Sequence, residues 1–150
     1  MNEKKGFPIL YPNAAGIDIS SKEHFVAVNP FENSTPIKSF GSFTEDLHSI
    51  AEFLKSSNVD TVAMEATGVY WKPVWHILED EFDLVLANAA HIRNVPGRKT
   101  DVNDAMWIAD LLAHGLIRSS FVPPAPIQEL RDLTRTRKQL VREISQHSLR

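Results

Sequence analysis

Ala14-Ala15-Gly16-Ile17-Asp18-Ile19-Ser20 is a run of small and apolar residues with one carboxylate near its end. It reads as a short buried β-strand. Two other places share its character. Glu65 closes the apolar stretch Val62-Ala63-Met64 and is followed by Ala66-Thr67-Gly68, while Asp101 and Asp104 open an apolar-periodic stretch in Lys99-Thr100-Asp101-Val102-Asn103-Asp104-Ala105. A carboxylate at the end of a buried strand is costly unless it is paired or binds a cation. Four gathered together would repel one another unless a divalent ion neutralised them. Oxygen donors of this kind suit Mg²⁺, with Mn²⁺ as a substitute, and two such ions about 4 Å apart suit in-line phosphodiester chemistry.

Outward from this strand, the patterning predicts an α/β domain. His24 to Val28 reads as a second strand, and Ile37 to Phe43 as a third after the turn-rich loop Asn29 to Pro36, which suggests an antiparallel meander. Thr44 is the expected N-cap of a helix over 45–56, with Leu47, Ile50, Ala51 and Leu54 on one stripe. A strand over 59–64 ends at Glu65, a helix is expected over 69–80, and a strand over 82–87 follows. Three consecutive strands followed by helix, strand, helix and strand imply a mixed five-stranded sheet with helices on both faces. Residues 91–100 are expected as a basic loop or a short helix with a loop. A helix over 102–115 carries Ala105, Ile108, Ala109 and Leu112 on one face and stops at Gly115.

Three segments are expected: a loose lead-in at 1–13, a catalytic domain at 14–122, and a Pro-rich spacer with a long helix at 123–150. The stiff spacer is Pro123-Pro124-Ala125-Pro126. The helix after it sets Leu130, Leu133, Leu140 and Ile144 near heptad spacing, interrupted by Arg137, and has no stop signal, which suggests a longer protein. Self-pairing through this helix is expected.

Bulk properties exclude several classes. With 150 residues, 43% hydrophobic and 23% charged, the chain can bury roughly two-thirds of its unfolded surface as one ordinary domain. It has no cysteine, so disulfides and thiolate metal sites are excluded and an intracellular, cytoplasmic setting is expected. No apolar run reaches the ~18 residues of a membrane span. A net charge of −3 argues against a freely binding basic protein but leaves room for local basic patches. The histidines show no zinc-ligand spacing, and no serine sits in a nucleophile elbow.

Each candidate residue also has a plainer reading. Asp101 and Asp104 share one helix face, yet Asp-x-x-Asp at a helix start is also a capping arrangement. Asp18 alone would serve as a strand-end turn residue, whereas Glu65 is a poor turn former. Arg93, Arg98 and Lys99 precede the acidic pair and would hold phosphates, or simply face solvent. Tyr70, Trp71 and Trp75 would stack on bases or, more in keeping with a packed helix start, join the core. Arg131, Arg135, Lys138 and Arg142 share a helical face that would contact nucleic acid or form the solvated side of a helix pair.

Gly16-Ile17-Asp18-Ile19-Ser20-Ser21-Lys22, Met64-Glu65-Ala66-Thr67-Gly68-Val69-Tyr70-Trp71 and Lys99-Thr100-Asp101-Val102-Asn103-Asp104-Ala105 resemble, in order, the motifs of the DEDD transposases of bacterial insertion sequences. The resemblance spans roughly residues 14 to 120. It implies a ribonuclease H-like (RuvC-like) fold in which the strand carrying Asp18 and the one ending at Glu65 lie side by side. It implies that Asp18, Glu65, Asp101 and Asp104 bind Mg²⁺ and carry DNA strand chemistry, with Lys22 among the nucleic-acid contacts. It further implies a bacterial source, a guide RNA, and a C-terminal domain with a catalytic serine that no serine here matches. Two alternatives remain: a Holliday-junction resolvase-like nuclease, and a noncatalytic nucleic-acid-binding scaffold.

Overall fold

In the computed structural model, which describes residues 7–28, 30, 37–66, 68–97 and 103–149, the first unit, Met1–Ser120, is built on five strands. They are β1 (Ala14–Ile19), β2 (Glu23–Val28), β3 (Ile37–Gly41), β4 (Thr61–Glu65) and β5 (Asp83–Ala87). Their order across the sheet is β3-β2-β1-β4-β5. The first three pair antiparallel, while β4 and β5 join parallel on the far side of β1. Short connections permit the antiparallel meander. The parallel pairs need crossovers, which α1 (Thr44–Ser56) and α2 (Trp71–Leu78) supply. This is the expected mixed five-stranded sheet, with β1 and β4 as neighbours.

Strand periodicity assigns Gly16 and Asp18 to one face of β1, and Ile17 and Ile19 to the other. The first face is covered by α4 (Asp104–Ala113). Gly16 makes the contact possible: a Cβ there would strike the Ala105 carbonyl oxygen and lie 2.5 Å from the Ala109 nitrogen. Around it, Ala14, Ala63 and Ala87 of the sheet share a buried cluster with Trp107, Ile108 and Leu111 of the helix. On α1, Leu47, Ile50, Ala51 and Leu54 are buried, as its periodicity predicts. The Phe40 and Phe53 rings, 5.7 Å apart, tie edge strand β3 to α1, with the Lys38 ammonium over both.

Several element ends differ from expectation. Thr44 is helical rather than capping. Phe43 is the N-cap, and the Asp46 carboxylate accepts its N–H at 3.1 Å, reaching back from the third helical position. α4 begins at Asp104 because the Asn103 side chain caps it, accepting the Ala105 N–H at 2.8 Å. It ends as expected near Gly115, whose φ of 67° allows the Gly115 and Leu116 amides to turn back onto Leu112 and Leu111. The lead-in is less loose than expected from Leu10 onward. Leu10 and Tyr11 donate to the Ala113 carbonyl, one of the helix-end acceptors that need a partner.

The second unit, Phe121–Arg150, contains α5 (Ala125–Ser148), a 24-residue helix. It starts inside the expected spacer. Pro126 falls in the first turn, where a missing N–H costs nothing, and the Gln128 amide donates to the Pro123 carbonyl at 2.8 Å. Leu130, Leu133, Leu140 and Ile144 are all more than half exposed. No described helix is long and apolar enough to cross a membrane.

Candidate active site

The parallel register between β1 and β4 brings the first two carboxylates together. Ile17 pairs with Met64, so Asp18 and Glu65 are the next residues on adjacent strands and share the α4 face. Glu65 also pairs with Ala87 of β5. Both acidic residues are half-buried, where strand ends give way to loop.

The third carboxylate arrives with α4. Asp104 is its first residue, one turn ahead of the buried Ile108, and the close seat of α4 on Gly16 brings that end of the helix to the tip of β1. Asp18, Glu65 and Asp104 line one cavity of about 230 Å³, with Arg93 beside them and Ile92, Trp107 and Ile108 as its apolar wall. Asp104 is the exposed member of the three. Capping, the alternative role for the acidic pair, belongs to Asn103.

The donor set is all oxygen and anionic, which fits a hard divalent cation such as Mg²⁺. The carboxylates share a cavity without closing into a cage: among the described residues, no group of three or more His, Cys, Asp or Glu is placed to hold an ion. Asp101, Arg98 and Lys99 lie outside the described residues.

The remaining candidates are dispersed. Lys22 is exposed in the β1–β2 turn, which is held by Ser20 Oγ donating to the Glu23 carbonyl at 2.6 Å. Arg131, Arg135, Lys138 and Arg142 are exposed along α5, in the second unit. Of the aromatics expected in the core, Trp71 and Trp75 are half-buried and meet edge-to-face at 6.0 Å, but Tyr70 is 48% exposed. It precedes α2, where no stripe draws it inward.

Sequence reasoning allowed a short helix behind Arg93 but missed where it starts and what caps it. A short helix, α3 (Ala89–Asn94), follows β5 and is capped by the Asn88 side chain, which accepts from Ala90 and His91. An Asn between a strand and a helical pattern was the available signal. The sequence also offered no sign that Trp107 walls the cavity, since its stripe resembles any helix core.

On the opposite face lies a buried polar group with no counterpart in the site. His24, paired with Ile19, is 2% exposed, and its Nδ1 has no hydrogen-bond partner among the described residues. Burial holds its pKa below the usual value of 6.5, with Asp46 pulling weakly the other way.

A family model for DEDD transposases of the IS110 type, described as a transposase, matches residues 15–150. No curated protein matches the chain. Among solved structures, the Fowlpox virus resolvase in complex with its substrate Holliday junction DNA is similar at 18% identity and a TM-score of 0.41. The match covers 59% of this chain and 65% of that one.

Proposed function

This chain belongs to the DEDD transposase family, and on that premise we propose that residues 14–122 form the domain that cuts and transfers DNA strands with a divalent ion. The observation that carries the proposal is the meeting of Asp18, Glu65 and Asp104 in one cavity beside Arg93. Asp18, Glu65 and Asp104, joined by Asp101, would hold Mg²⁺ or Mn²⁺. Such an ion polarises a scissile phosphate and stabilises the leaving oxygen. The half-buried pair Asp18 and Glu65 would anchor it from the sheet, with Asp104 contributing from the helix side. Ile92, Trp107 and Ile108 would limit water on one wall, which strengthens charge interactions at the site.

Lys22, Arg93, Arg98 and Lys99 would meet the phosphate backbone, and Arg131, Arg135, Lys138 and Arg142 of α5 would supply further contacts. Family membership supports a guide RNA as a further partner and a C-terminal domain as a requirement for complete recombination. Self-pairing through the apolar stripe of α5 would bring two such sites into one assembly.

Mn²⁺ titration followed by electron paramagnetic resonance tests the reading. The chain should bind the ion saturably, and Asp18→Asn or Glu65→Gln should release it. Binding that survives both substitutions would place the ion elsewhere and remove the basis for the proposed chemistry.

A further inference from the structure

We infer that His91 is a positioning residue which, through α3, holds Arg93 in the carboxylate cavity to grip a phosphate oxygen of the bound strand. The inference rests on the transposase reading above and goes beyond it by naming how the phosphate contact is aimed.

α3 has six residues, too few to be stable alone. It is nevertheless fastened at three polar points. Asn88 caps its start, accepting the Ala90 N–H at 2.9 Å. His91 Nε2 lies 3.2 Å from the Leu116 carbonyl oxygen, in the segment after α4. A carbonyl only accepts, so Nε2 carries the proton and donates. The Trp107 indole N–H points to the Ile92 carbonyl at 3.4 Å, linking α3 to the helix that carries Asp104. Ile92 itself is buried at 4% exposure.

Arg93 follows immediately. It is exposed, yet it lines the same cavity as Asp18, Glu65 and Asp104. A guanidinium offers a planar fork of donors that matches phosphate, and it keeps its charge in any surroundings. In a cavity walled by carboxylates it is the group on α3 that attracts an anion. Such a contact needs a fixed base, because a misaimed fork loses its paired hydrogen bonds. The anchors at His91 and Ile92, on the two preceding residues, provide that base.

The test is DNA binding by the full chain, read by fluorescence anisotropy in Mg²⁺ across about 50 to 200 mM salt. Arg93→Ala should lower the slope of log affinity against log salt by about 0.9, the loss of one phosphate contact. His91→Ala should lower it equally and add nothing in the Arg93→Ala background. His91→Gln, whose amide can still donate to Leu116, should restore the wild-type slope. If His91→Ala melts too low to assay, Trp107→Phe removes only the N–H to Ile92 and carries the same expectations. Additive effects, or a full slope in His91→Ala, overturn the inference. So does an unchanged slope in Arg93→Ala with wild-type binding intact, which leaves the transposase reading standing. A wild-type chain that binds no DNA defeats both.

Discussion

Gly16 of β1 and Ala105 of α4 touch so closely that no side chain fits between them: a Cβ on Gly16 would collide with the Ala105 carbonyl oxygen. Helix and strand meet backbone to backbone, and the seat of α4 carries Asp104 toward Asp18. Gly16→Ala should therefore destabilise the fold by about 1–3 kcal/mol, the usual cost of overpacking. Urea unfolding measures this. An unchanged midpoint would show that α4 can shift without cost and that the close seat does not govern the site.

Ion binding should be visible as thermal stabilisation. At a Mn²⁺ concentration near 100 times Kd, the gain is about 2.7 kcal/mol. Asp18→Ala and Asp104→Ala should each lose most of it, while keeping a cooperative transition without metal. Full gain in Asp104→Ala would confine the ion to the strand carboxylates.

His24 sets a pH dependence. Its folded pKa lies below the unfolded value of 6.5, so the unfolded chain takes up a proton first as pH falls. Its share of stability is complete above pH 6.5 and declines as pH drops from there toward the folded value. His24→Leu should flatten this decline between neutral and mildly acidic pH. Equal slopes in both proteins would assign the acid sensitivity to other groups.

The exposed stripe on α5 predicts self-association. Light scattering should give a mass above the monomer for the chain, and Leu133→Asp with Leu140→Asp should return it to monomer. A chain ending near Pro124 should also be monomeric. If all three have monomer mass, helix-mediated pairing is refuted.

Much of the fold was legible because it depends on local patterning. The strands, the stripe of α1 and the stop at Gly115 follow from apolar alternation, helical spacing and a residue that accepts positive φ. Caps were less legible, because neighbouring polar residues compete for the same orphan amides. Phe43 took the N-cap position expected of Thr44, with Asp46 reaching back to its amide, and Asn103 took the cap that Asp101 and Asp104 could equally have filled by sequence alone. Tyr70 lay outside prediction for a similar reason: one turn of helix determines whether an aromatic faces in or out.

By itself the sequence determined that Asp18 and Glu65 stand at strand ends and that Asp104 opens an apolar helix, since short-range periodicity sets those places. Only the tertiary structure decided that they line one cavity. Successive strand residues alternate faces, so a slip of one residue between β1 and β4 would send Asp18 and Glu65 to opposite sides of the sheet. The observed register, and the bare Gly16 on which α4 rests, are long-range packing outcomes. No local run of residues encodes them.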